Sequence, residues 1–248
     1  MMFRVVLSDA RAWRKLLEAI STLVEEATFD IKPEGLYLRA MDPSHVAMVD
    51  FEYEKDAFQE FECSEPSKIC VGLGEILKLL KRVGSGETLE MSLDTAANRL
   101  TMRLTGRYTR RFAIPLLQPS TSELPTPKLA FDVRVKLDAD HLRDAILEVS
   151  NVSDQVRFMA GQDRLSLIGE SETGRVEIDF ERDSVYEFNV QGEVKALYGV
   201  GFLEDMVKAG SDSSKLVSVE FSTDKPIRLN YELQPKGRLT YYLAPRIE

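Results

Sequence analysis

The chain carries little catalytic or metal-binding equipment. Its two histidines, His45 and His141, lie far apart, and neither has a second ligand at metal-binding spacing. Its two cysteines, Cys63 and Cys70, fall in neighbouring strand-like segments with no second pair to complete a zinc site, and read as thiols of a reducing compartment. Gly72-Leu73-Gly74 lacks the third glycine of a dinucleotide loop and leads into no Lys-Ser/Thr phosphate cradle. Acid pairs such as Glu25–Glu26 and Glu170–Glu172 fall in strand and turn contexts, where solvation accounts for them, and no nucleophile has a base that spacing can supply. No metal, no cofactor and no reaction of its own are therefore expected. No apolar run approaches the ~20 residues of a membrane span, and no signal-peptide core opens the chain, so a cytoplasmic protein without membrane contact is expected. The cations are not interleaved with aromatics for base stacking, and helix-turn-helix and zinc-finger spacings are missing, which excludes sequence-specific readout of nucleic acid.

What the chain does contain is a repeat. Residues 3–22 (FRVVLSDARAWRKLLEAIST) and 131–151 (FDVRVKLDADHLRDAILEVSN) are each an apolar strand, an Asp-Ala start and an amphipathic helix. Residues 70–93 echo 197–221, and 110–117 (RRFAIPLL) echo 240–247 (TYYLAPRI), all at an offset near half the chain length. Two equal halves point to a pseudo-symmetric assembly more than to a single reactive cleft. With 248 residues, two domains of ordinary size are expected, 1–115 and 129–248, joined by a proline-rich crossover at 116–128. The fold class is α+β.

Period-two alternation marks most of the strands. Leu89, Met91 and Leu93 alternate with Glu90 and Ser92, and Leu100, Met102 and Leu104 with Thr101 and Arg103, across a hairpin turn at Asp94–Asn98. Similar runs at 165–169, 175–181, 217–222 and 227–233 give antiparallel sheets with one covered face, about eight or nine strands per half. Each half also carries two helices. Trp13, Leu16, Leu17 and Ile20 stripe the first behind an Asp9 cap; Leu73, Ile76, Leu77 and Leu80 the second; Leu142, Ala145, Ile146 and Val149 the third behind Asp138; Leu203, Met206 and Val207 the fourth. Gly84 and Gly210 are expected to stop the second and fourth helices.

The opposite helix faces are charged. The first shows Arg11, Arg14, Lys15 and Glu18, and the second Lys78, Lys81, Arg82 and Glu75. On the third, Arg143 stands among acids, and on the fourth Lys208 stands with Glu204 and Asp205. The first two helices are thus net basic in a chain whose net charge is −9. A surface of long cations without base-reading groups suits phosphates, bound non-specifically and with strong salt dependence.

Two segments carry a family resemblance. The run EATFDIKPEGLYLRAMDPSHVAMVDFEY (26–53), with its MDPSHV, and the C-terminal GRLTYYLAPRIE (237–248) closely resemble proliferating cell nuclear antigen, the archaeal and eukaryotic DNA sliding clamp. The resemblance covers the whole chain. It implies a clamp fold with two helices on antiparallel sheets in each domain, a trimeric ring lined by helices, and duplex DNA held topologically, so that the protein acts as a polymerase processivity factor. The chain ends without an added tail and carries no polybasic import run, so an archaeal source is expected. Family position puts Arg14, Lys15, Lys78, Lys81 and Lys208 on DNA, and helix geometry adds Arg11, Arg82 and Arg143. Leu147 stands where the family can carry a channel arginine.

The resemblance also implies two protein-binding surfaces. A hydrophobic pocket is expected from Met41, His45, Val46, Leu124, Pro226, Tyr242, Leu243, Ala244, Pro245, Arg246 and Ile247. It would take short helical motifs of the clamp loader, replicative DNA polymerase, flap endonuclease and DNA ligase. The subunit joint is expected to pair strand edges near 107–113 and 174–180, with Arg82, Arg107, Arg110 and Arg111 on one side and the acidic stripe Asp140, Asp144 and Glu148 with Arg175, Glu177 and Asp179 on the other. Both sides lie on one chain, which favours a homotrimer over a subunit of a heterotrimeric or checkpoint-type clamp.

Overall fold

A computed structural model describes residues 3–119, 124–125, 127–172 and 174–247. Of the expected crossover at 116–128, residues 120–123 and 126 lie outside these. The chain divides into two compact units: Met1–Pro43, Val49–Pro125 and Leu233–Arg238 form one, and Ser44–Met48, Thr126–Glu232 and Leu239–Glu248 the other.

The first half runs β1 (Phe3–Leu7), α1 (Ala10–Ser21), β2 (Glu26–Lys32), β3 (Gly35–Met41), β4 (Ala47–Glu54), β5 (Glu60–Cys63), β6 (Ser67–Gly72), α2 (Leu73–Leu80), β7 (Thr88–Asp94), β8 (Arg99–Thr105) and β9 (Thr109–Pro115). The second runs β10 (Val133–Asp138), α3 (Ala139–Ser150), β11 (Gln155–Ala160), β12 (Arg164–Ser171), β13 (Gly174–Glu181), β14 (Glu187–Val190), β15 (Val194–Gly199), α4 (Val200–Ser213), β16 (Leu216–Phe221), β17 (Ile227–Leu233) and β18 (Gly237–Leu243). Strand order is β5–β1–β7–β8–β9 and β4–β3–β2–β6 in the first half, and β14–β10–β16–β17–β18 and β13–β12–β11–β15 in the second. The two halves thus repeat one topology strand for strand.

The period-two segments form the ladders that their alternation predicts. Leu89 pairs with Leu104, Met91 with Met102 and Leu93 with Leu100, and all of these but Leu93 are buried. At the hairpin, Asn98 takes the left-handed conformation (φ 50°), and the Ala97 amide donates to Asp94 Oδ1 at 3.0 Å. Both N-caps form. Asp9 Oδ1 accepts from the Arg11 and Ala12 amides at 2.9 and 3.3 Å, and Asp138 Oδ1 from the Asp140 and His141 amides at 2.9 and 3.4 Å. The apolar stripe of α1 packs Trp13 against Phe29 and Phe51, with ring centroids 6.2 Å apart in each case. In the second half, Phe158 meets Tyr198 at 5.6 Å and Phe221 at 5.7 Å.

The two glycine stop signals need correction. α4 continues through Gly210 to Ser213, and Gly210 is buried inside it. A Cβ on Gly210 would lie 2.1 Å from Tyr231 Cζ, so this glycine serves a close helix–strand approach and not a cap. α2 ends at Leu80 with Lys81 still right-handed; the glycine that turns left-handed is Gly86 (φ 76°), while the Gly84 amide donates to Glu87.

Candidate nucleic-acid interface and docking surfaces

α1 packs on α2, and α3 packs on α4. In each pair the apolar stripes face the sheets and the charged stripes face out. The candidate DNA cations differ in how they are held. Arg11, Lys15, Lys78, Lys81 and Arg82 are exposed on the first pair. Lys78 Nζ meets Glu75 at 2.8 Å, a fully exposed pair of small energetic weight. Among the described residues no ion pair or hydrogen bond engages the side chains of Arg11, Lys81 or Arg82. Arg14 is half-buried; its Nη1 donates to the Lys81 carbonyl at 3.2 Å and its Nε lies 3.5 Å from Glu18. It braces the end of α2, where a cation complements the helix dipole.

On the second pair both cations are committed. Arg143 donates from Nε and Nη2 to Asp144 at 3.0 and 2.8 Å, from Nη1 to Asp140, and from Nη1 to Ser211 Oγ at 3.3 Å. The Asp144 hydrogen bonds are the main cause that raises the Arg143 pKa further. Lys208 Nζ bonds Glu204 at 2.5 Å, one turn earlier.

The strand edges expected at the joint are both terminal in their sheets, β9 beside β8 and β13 beside β12. Arg107 and Arg111 are exposed near or on β9. Arg110, expected at the joint, is gripped within its own chain: Nη2 donates to both Glu87 oxygens at 2.6 and 2.7 Å, with the two side chains only 18% and 13% exposed. The Gly84 amide at 2.6 Å, and then this guanidinium, hold the Glu87 carboxyl below the usual carboxylate range. Glu87 also accepts the Ala10 amide on its carbonyl at 2.9 Å, so one residue ties the start of α1, the turn after α2 and strand β9. Nothing in the local sequence marks it, because its ion-pair partner Arg110 lies on another strand. On the opposite side, Asp140 and Asp144 hold Arg143, Arg175 pairs with Glu177 at 2.8 Å, and Asp179 takes Ser166 Oγ at 2.5 Å and Arg164 at 3.4 Å. The exposed Glu148 carboxylate has no partner among the described residues.

The pocket candidates fall in both units. Met41 and Leu124 belong to the first, and His45, Val46, Pro226 and 242–247 to the second. His45 is exposed in the left-handed region (φ 61°) and sets the turn before Val46. The Val46 carbonyl accepts the Ala244 amide at 2.9 Å, which joins the MDPSHV loop to the tail. The tail continues along β15, where the Arg246 amide donates to the Leu197 carbonyl at 2.7 Å, and Ile247 is left 97% exposed. Tyr242 and Leu243 are buried, whereas Ala244 and Pro245 are half-buried. The crossover is anchored by a residue that sequence reasoning missed: Arg39 Nη1 donates to the Leu124 carbonyl at 3.1 Å while its Nη2 bonds Asp50 at 2.7 Å. Its only signal is a cation on an alternating strand, which is indistinguishable from a solvated one.

Comparison with known proteins decides the family. The model of the proliferating cell nuclear antigen N-terminal domain matches residues 2–113, and that of its C-terminal domain matches 125–246. The chain belongs to the proliferating cell nuclear antigen family. Relatives in this family include the DNA polymerase sliding clamp of Thermofilum pendens, 37% identical over all of both chains, and DNA polymerase sliding clamp 1 of Pyrobaculum aerophilum, 36% identical over 97% of this chain and 96% of that one. The Pyrococcus furiosus clamp is 34% identical over both full lengths. Among solved structures, the family antigen of Thermococcus kodakaraensis superposes with a TM-score of 0.93 at 28% identity, covering 98% of this chain and all of that one. A PCNA2–PCNA3 complex from Sulfolobus tokodaii gives 0.91 at 27% identity, covering 99% of this chain and all of the matched one. Among the described residues, no group of three or more His, Cys, Asp or Glu is placed to hold a metal ion, and no helix is long and apolar enough to cross a membrane.

Proposed function

We propose that this chain is a DNA sliding clamp: a homotrimeric ring that encircles duplex DNA without reading its sequence, tethers polymerase and performs no reaction itself. The observation that carries this reading is the full-length likeness to proteins named DNA polymerase sliding clamp, at 34–37% identity. Two structural features support it. Among the described residues, the helix pair α1/α2 and its closing turn expose three cations without an ion pair, Arg11, Lys81 and Arg82, in a chain with net charge −9. Strands β9 and β13 are also both terminal in their sheets, and head-to-tail pairing would hide these two edges. The pocket residues would dock short motifs of the clamp loader, polymerase, flap endonuclease and ligase. Three such pockets in a ring would raise their local concentration on DNA. The site of action would be the nucleoid of an archaeon.

Retention by topology has a direct test. Polymerase extension of primed circular templates, with loader present, should be stimulated strongly, and stimulation should fall on linear templates as the ring runs off the ends. Equal stimulation on both would refute encirclement.

The heterotrimer reading draws only on the Sulfolobus complex, which joins two different family members. Here one chain bears Arg107 and Arg111 near one edge and an unpaired Glu148 on the helix of the other half, a self-complementary set. Glu148→Lys should therefore shift the sedimentation of the lone protein from three copies toward one at micromolar concentration; an unaltered trimer would remove Glu148 from the joint.

A further inference from the structure

We infer that only the first half of each subunit grips the duplex: the cations of α1 and α2 carry the phosphate contacts, and the acid-rich face of α3 and α4 carries few or none. This rests on the clamp reading above. The argument begins with ion pairing. Both cations within α3 and α4 are engaged by acids of their own helices, Arg143 by Asp140 and Asp144, and Lys208 through one bond to Glu204, which leaves Lys215, just beyond α4, as the one exposed cation there without an ion pair among the described residues. Binding a phosphate through Arg143 or Lys208 would first require breaking an existing charge-assisted bond. On the first pair, Arg11, Lys81 and Arg82 have no such bond to break among the described residues.

Net charge acts in the same direction. α1 carries Arg11, Arg14 and Lys15 against Glu18, and α2 with its closing turn carries Lys78, Lys81 and Arg82 against Glu75. α3 carries Arg143 against Asp140, Asp144 and Glu148, and α4 carries Lys208 against Glu204, Asp205 and Asp212, with Lys215 beyond its end. Asp140, Asp144 and Glu204 touch the cations they offset. That is far inside the Debye length of about 10 Å at 0.1 M salt, so screening does not separate the two effects. A duplex in the ring would meet three cationic stations alternating with three acidic stretches, and phosphates would follow the former. Acidic stretches between stations keep the duplex from settling against the whole wall, which favours sliding.

Titration of a fluorescently labelled linear duplex of arbitrary sequence with the assembled protein, at a series of NaCl concentrations, tests this. Sedimentation first verifies that each variant keeps the wild-type assembly state. Wild type should bind with a negative slope of log Kobs against log salt. Arg11→Gln with Lys81→Gln should flatten that slope by about 0.9 for each phosphate that is no longer neutralised. Arg143→Gln with Lys208→Gln should flatten it by less than half as much. Equal flattening by the two pairs would overturn the inference and leave the clamp reading intact. Wild-type protein that fails to bind, or binds without salt dependence, would overturn both.

Discussion

Gly210→Ala is expected to lower the stability of the second unit by about 2 kcal/mol, despite a change that favours helix. Two effects oppose each other. In a helix interior, alanine is better than glycine by about 1 kcal/mol. Against this, the new Cβ would sit 2.1, 2.4 and 2.5 Å from three atoms of the Tyr231 ring. Tyr231 is completely buried, so the ring cannot retreat into solvent, and relief must come from displacing α4 or the ring within the core. Overpacking of a dense core typically costs about 1–3 kcal/mol and occasionally more, and an approach this close belongs at the upper end. The measurement is the urea midpoint at fixed protein concentration, with the denaturant slope monitored for a change in the native state. A midpoint equal to or above wild type would mean that the helix and strand are not in the contact described.

Loss of Glu87 should be the second large effect. Glu87→Ala is expected to cost about 2 kcal/mol, the scale for removing charge-assisted hydrogen bonds from a half-buried site. The comparison with Lys78–Glu75 sets the scale: those side chains are 74% and 70% exposed, whereas Arg110 and Glu87 are 18% and 13% exposed. Removing the carboxylate takes the ion-pair partner from the half-buried Arg110 guanidinium and leaves the exposed Gly84 amide to solvent. Because Arg110 lies on β9, the variant should also weaken trimerisation although residue 87 is outside the proposed joint. The pH dependence follows from the lowered carboxyl pKa. The stabilisation is complete above the ordinary value of 4.5 and fades as pH falls through the lower folded-state value. Wild type and Glu87→Gln should therefore differ most near neutrality and converge on acidification. A gap between them that stays constant from neutral pH to strong acid would show that the Glu87 charge contributes nothing.

Local periodicity made most of the fold readable. The Trp13–Ile20 stripe, the alternation at Leu89–Leu104 and the caps at Asp9 and Asp138 depend on residues close in sequence, and the structure realises each. Gly210 misled because a glycine near a helix end has two uses, and only the position of Tyr231 distinguishes them. Glu87 and Arg39 escaped notice for a related reason: their partners lie far along the chain, Arg110 for one and Leu124 for the other. Arg143 is an intermediate case. Its acids at Asp140 and Asp144 are helix neighbours visible in the sequence, but its capture depends on the side-chain conformation the structure supplies. Candidate DNA cations can thus be named from a helix wheel, whereas their availability cannot.

The position of β1 between β5 and β7 bears on how the polypeptide is made. Phe3–Leu7 leaves the ribosome well before its partners Glu60–Cys63 and Leu89–Ser92. The same delay recurs at β10, which waits for β14 and β16. Neither half can close its sheet cotranslationally until nearly all of that half has emerged, so the nascent chain carries a bare apolar strand through most of its synthesis. Slow refolding from denaturant and a need for chaperone protection during high-level expression follow from that strand order alone.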